Sequence, residues 1–125
     1  MRKLIFLAIL LSISACSSHQ VEMRYRSDFE PLSVDSPIVI TASSSIPGCE
    51  IEKIADVRVE RRFYGGSSHA KAKISQMARQ LGGNGVLNYN FWIAPSWFSW
   101  AAPKATGTVV KGSLDCMMKS ATPVK

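Results

Sequence analysis

One stretch of this chain carries the periodicity of a helix, and a pair of glycines stands on each side of it. Apolar residues recur at Ala70, Ile74, Met77, Ala78 and Leu81, the i, i+4, i+7, i+8, i+11 series of one helical face, with Lys71, Lys73, Gln76, Arg79 and Gln80 around the remainder. Gly65-Gly66 ends whatever comes before, and Ser67 or Ser68 is placed to cap the first turn by accepting a hydrogen bond from a free amide. Gly82-Gly83 stops the helix, because glycine enters the left-handed cap without a Cβ clash. A single amphipathic helix must bury its apolar stripe against another layer, so the flanking segments have to supply a sheet.

Their patterns are those of strands. Ile38-Val39-Ile40-Thr41 is a short β-branched run after Pro37, followed by breakers at Ser43-Ser44-Ser45 and Pro47-Gly48. From Glu50 to about Arg61, Ala55, Val57 and Val59 alternate with Asp56, Arg58 and Glu60, which predicts one buried and one wet face. After the helix, Leu87, Tyr89, Phe91 and Ile93 alternate with Asn88, Asn90 and Trp92, and Ala105 to Lys111 reads as the last strand. The order β-β-α-β-β predicts an α+β domain, a small antiparallel sheet of about four strands covered by one helix.

The N-terminus has a layout of its own. Arg2 and Lys3 are basic, Leu4 to Ile13 are almost unbroken apolar, and Ser14-Ala15 are small, which is the pattern of a secretory signal. The apolar run is well short of the roughly 20 residues that cross a bilayer as a helix. Ile13-Ser14-Ala15-Cys16 resembles the bacterial lipobox, which implies cleavage before Cys16, a diacylglyceryl group on its thiol and acylation, with palmitate among the acyl chains, of the freed amine. Several chains at about 0.8 kcal/mol per buried CH₂ give stable anchoring where one would be marginal. Ser17 stands where an aspartate would signal inner-membrane retention, so the expected address is the periplasmic face of the outer membrane, ahead of the inner.

The expected organisation is a lipoprotein signal over 1–15, a lipidated flexible tether over 16–36, an α+β domain over 37–116 and a frayed tail over 117–125. The tether reading rests on its polar composition, with Tyr25, Phe29 and Leu32 scattered among breakers; fully extended, it would reach at most roughly 70 Å. Without residues 1–15 the chain keeps 13 basic and 9 acidic side chains, a mild excess. Export removes cytoplasmic nucleic acid from its set of partners and leaves the membrane, anionic lipid or peptidoglycan, another envelope protein, or a second copy of the chain.

Ile38-Val39-Ile40-Thr41, Ile46-Pro47-Gly48 with Glu50-Ile51, Phe63-Tyr64-Gly65-Gly66, Leu81-Gly82-Gly83-Asn84-Gly85-Val86 and Thr106-Gly107-Thr108-Val109-Val110 together resemble the YbjQ-like heavy-metal-binding family, and more distantly the RcsF-like lipoprotein stress sensors. The resemblance spans residues 38–112 and implies the same α+β fold. The chain departs from it at Val57-Arg58-Val59-Glu60, where the family carries a glycine.

Candidate chemistry is sparse. Cys49 precedes the second strand and Cys116 follows the last; if those strands are antiparallel, the two cysteines lie side by side, and an oxidising periplasm favours a disulfide. The other reading keeps them as free thiols for metal or redox sensing. No CxxC or HxxxH spacing appears, and His19 and His69 lie far apart in sequence, so no metal site or cofactor is predicted. No nucleophile, base and carboxylate set indicates an enzyme. Trp97, Phe98 and Trp100 form an aromatic cluster between the last two strands, suited either to a partner surface of protein or lipid or to burial against the sheet or another subunit. The expected function is a non-enzymatic interaction, envelope-sensing or structural role, with a metal- or redox-responsive binding protein as the alternative.

Overall fold

A computed structural model describes residues 17–61, 66–96 and 99–121, and within them the side chains of all but residues 17–19, 61, 94–96 and 99–102. The elements in chain order are β1 (Ser17–Arg24), β2 (Val39–Ile40), β3 (Ile51–Arg61), α1 (Ser67–Gln80), β4 (Gly85–Ser96), β5 (Ser99–Gly112) and α2 (Leu114–Ser120). The fold is α+β, as the patterning predicts, but the sheet has five strands in the order β1-β3-β5-β4-β2. β1, β3, β5 and β4 pair antiparallel in that order, whereas β2 runs parallel to β4.

α1 forms where its periodicity placed it. Ala70, Ile74, Met77 and Ala78 are buried, and Leu81 packs at the margin of the same core. The stripe sits on Ile54, Ala55, Val57 and Val59 of β3, Val86 and Tyr89 of β4, and Ala105 and Val109 of β5. Gly107 lets the helix approach closely: a Cβ there would meet Val86 Cγ1 at 2.5 Å and Ile74 Cδ1 at 3.1 Å. Gly82, at φ +84°, ends the helix. At the other end Gly66, not Ser67 or Ser68, is the cap; its carbonyl accepts from the amides of His69 and Ala70, and no side chain caps the turn.

Four expectations need correction. Residues 17–36 are not a free tether. Ser17–Arg24 is an edge strand paired with β3 from Ser17↔Arg61 to Arg24↔Ala55, and the chain then straps across the end of α1. Phe29 packs against the core, the Leu32 amide donates to the Arg79 carbonyl at 2.8 Å, and Arg79 Nε donates to the Ser36 carbonyl at 2.7 Å. Backbone pairing, the Phe29 anchor and the two hydrogen bonds to Arg79 and from it order a segment whose composition alone would leave it loose.

The second correction is the direction of β2, which the strap delivers to the far edge of the sheet beside the start of β4 (Val39↔Gly85, Ile40↔Val86). The third is β4. A bulge at Asn88, with φ 54°, inserts one residue against β5 and reverses the alternation before it. Val86 therefore joins Tyr89 and Phe91 on the α1 side, and Leu87 faces the other way. The fourth is the tail: Leu114–Ser120 is α2, capped by the Ser113 side chain, and Met117 is fully buried.

A second, smaller core lies on the sheet face opposite α1, where Ile46, Leu87, Val110 and Met117 meet beside Val39, Cys49 and Ile51. It covers that face at one end only.

Candidate functional site

The covered end is locked covalently. β3 and β5 are antiparallel neighbours with Ile51 opposite Gly112, which brings the residue before one strand and the residue after the other together. Cys49 and Cys116 are bonded, with Cα atoms 5.8 Å apart and a sequence separation of 67. The disulfide is thus present as the strand geometry predicted, and it leaves neither sulfur as a thiolate ligand. Among the described residues no group of three or more His, Cys, Asp or Glu side chains is gathered to hold a metal. His69 is exposed at the start of α1, and His19 lies in β1.

The middle of the uncovered face holds a polar recess of about 240 Å³, lined by Glu22, Asp56, Asn88, Thr106 and Thr108. Its carboxylate is engaged on both oxygens: Thr108 Oγ1 donates to Asp56 Oδ1 at 2.7 Å, and the Tyr25 hydroxyl donates to Oδ2 at 2.9 Å. The bond to Asp56 pushes the Tyr25 phenol above its ordinary value, with partial burial and the Asp56 charge acting the same way. The two bonds fix the carboxylate in place at the rim of the recess. Next to the recess, Arg58 bridges Glu60 at 2.6 Å and Glu22 at 3.8 Å, and Lys104 lies 3.8 Å from Glu60. The wet face predicted for Asp56, Arg58 and Glu60 is this surface. Tyr25 and Asn88 were not singled out by the sequence, since the first sat in a supposed tether and the second in a supposed regular strand.

The opposite end of the sheet is uneven, and among the described residues no second core covers it. Ser18 pairs with Glu60, Glu60 with Lys104 and Lys104 with Trp92, so these four residues mark one level across the sheet. β1 begins one residue beyond that level. β4 and β5 continue past it as a two-stranded ribbon, with Ile93↔Pro103, Ala94↔Ala102 and Ser96↔Ser99. Ile93 is 56% exposed on this ribbon. Of the aromatic cluster, Trp100 therefore stands in a paired strand of this ribbon. Trp100 is a residue of β5; Trp97 and Phe98 lie outside the described residues, as does Cys16.

No family model matches the chain, and no curated protein matches it. Among solved structures, the crystal structure of FvfA, a Francisella virulence factor, is similar with a TM-score of 0.52. It is 12% identical and the match covers 74% of this chain and 96% of that one. At that identity the likeness concerns the fold alone.

Proposed function

We propose that the chain is a lipoprotein of the bacterial envelope, lipidated on Cys16 and facing the periplasm from the outer membrane. There it serves as a non-enzymatic interaction or sensing module. The observation that carries this reading is the Cys49–Cys116 bond, which suits an oxidising compartment, in a chain whose third cysteine ends a lipobox-like Ile13-Ser14-Ala15-Cys16. The uncovered polar face and the projecting hairpin are the surfaces left for partners. Of the two resemblances, only the more distant one, to the RcsF-like lipoprotein sensors, fits an envelope role.

The test is the mass of the N-terminal peptide of the mature protein, with Cys16→Ala as control, followed by separation of the two membranes on a density gradient. An acylated Cys16 in the outer-membrane fraction is expected. A soluble periplasmic protein with an unmodified cysteine would overturn the proposal.

A further inference from the structure

Beyond the second core, the sheet face turned away from α1 is polar, and the register fixes what stands on it. Val57, Val59, Phe91 and Ala105 pack on the α1 side, so their strand neighbours point the other way. Pairing sets those neighbours in rows. Asp56 lies beside Thr108, Arg58 beside Thr106 and Asn90, and Glu60 beside Lys104 and Trp92. The first and last rows are four residues apart along β3, about 13 Å, and β3 to β4 is two strand spacings, about 10 Å.

An aromatic side chain stands at each end of this surface. At one end is the recess of about 240 Å³, where Tyr25, 48% exposed, and Thr108 hold the Asp56 carboxylate. Each carboxylate oxygen has a further lone pair with which to accept from a ligand. At the other end Trp92 is half-buried. Between them Asn88 and Asn90 are exposed, and neither side-chain amide has a hydrogen-bond partner among the described residues.

The charges of the face answer one another. Arg58 pairs with Glu60 and Glu22, and Lys104 lies beside Glu60, so a ligand needs no charge of its own. An anion would meet Glu22, Asp56 and Glu60, and a cation would meet Arg58 and Lys104. A protein partner would want an apolar centre, where this face offers one indole and the ring of Tyr25. A neutral ligand fits if it has a C–H face to lay on an aromatic ring and edge groups that both donate and accept, as the two asparagine amides do. An acetamido sugar has both. Because the platform, the amides and the recess are spread over a sheet surface and not gathered in a cleft, the fit is to a straight chain of such sugars.

We infer that this face binds a neutral, extended chain of β-1,4-linked N-acetylhexosamine units. One ring stacks on Trp92, and its neighbours hydrogen-bond to Asn90, Asn88 and the Asp56 carboxylate. The inference deepens the interaction role proposed above and rests on it, since the glycan backbone of the cell wall is the polymer of this chemistry that an envelope protein meets. Two bonds already fix Asp56, so binding need not order it.

The test is a titration of the full mature protein, labelled with ¹⁵N and held in zwitterionic micelles that carry no sugar headgroup. The probe is the β-1,4-linked tetramer of N-acetylglucosamine, with maltotetraose as control, and the state of Cys16 is read by mass on the same sample. Saturable shifts at Asn88, Asn90, Thr106 and the Trp92 indole N–H are expected with the first sugar and not with the second. Trp92→Ala should weaken binding at least about tenfold, whereas Trp92→Phe keeps a platform and should retain most of it. Asn90→Ala, at an exposed position that folding tolerates, should weaken it roughly threefold with unchanged circular dichroism. Acylated protein that ignores the tetramer overturns the inference and leaves the lipoprotein reading standing. Binding by a soluble protein with unmodified Cys16 supports the inference and overturns the anchor. Equal shifts with maltotetraose would show contacts without selectivity and overturn the inference. Shifts at these residues that follow protein concentration and not sugar would show a second copy covering the face, and overturn it as well.

Discussion

The two ends of the sheet are built from the same strands and held in opposite ways. At the disulfide end both faces are covered: Leu87, Val110 and Met117 are buried under α2 and the segment through Ile46, while α1 closes the face behind them. At the hairpin end, among the described residues, β4 and β5 pair only with each other beyond Lys104, and Ile93 is more than half exposed. Burial and a cross-link hold the first end; ladder hydrogen bonds hold the second. A small domain concentrates stability where its layers overlap, and the end left without a covering layer is the one free to meet something else.

The contrast is broken most sharply at the disulfide. Replacing Cys49 and Cys116 together by serine should cost about 4 kcal/mol, the chain-entropy value for a loop of this length, read from urea unfolding with and without reductant. An unchanged midpoint would mean that packing alone holds that end.

The next test compares two positions on one strand. Leu87→Ala removes a side chain 1% exposed in the second core and should cost about 3 kcal/mol, and Met117→Ala, on the fully buried residue of α2, a similar amount. Ile93→Ala, six residues further along β4, should change stability by less than about 0.5 kcal/mol. Equal losses at Leu87 and Ile93 would mean that the hairpin end is covered in solution, by another subunit or by the chain itself.

The same contrast explains which parts of the fold were readable. α1 and β3 were recovered from periodicity because one element face meets one core, and local pattern then maps directly onto burial. Nearest-neighbour strands put Cys49 beside Cys116 for the same reason. The pattern misled where something non-local intervened. In β4 the bulge at Asn88 inserts a residue, so Leu87 and Tyr89 lie on opposite faces although they stand two apart. In β1 the described side chains from Gln20 to Arg24 are all exposed, and pairing with β3 is what makes the strand, so its sequence holds no apolar stripe to find. α2 is short, and one residue, Met117, ties it down, which composition reads as a tail. At the candidate site the aromatic cluster is visible as sequence, but the projection of the β4–β5 ribbon from the end of the sheet at which β1 starts follows only from register. Tyr25 and Asp56 are brought together across 31 residues by the pairing of β1 with β3.

That last contact supplies the smallest test, and it probes how β1 is held between the two ends. The Tyr25 hydroxyl donates to Asp56, and the folded chain therefore keeps the phenolic proton more tightly than the unfolded chain does. A raised folded value contributes stability that is fully present below the ordinary tyrosine pKa of about 10 and is lost as the pH rises through the higher folded one. Stability should thus decline in the alkaline range, and Tyr25→Phe should decline less. Tyr89 complicates the absolute slope because burial raises its phenol as well, so the informative quantity is the difference between wild type and Tyr25→Phe, measured as urea midpoints between pH about 8 and about 11. Asp56→Asn should move the Tyr25 titration back down, since it removes the anionic acceptor. Because Tyr25 is about half exposed, the effect is expected to be smaller than any of the core substitutions. Identical alkaline slopes in wild type and Tyr25→Phe would mean that the contact does not persist in solution, and that the exit of β1 is held by its backbone pairing with β3 alone.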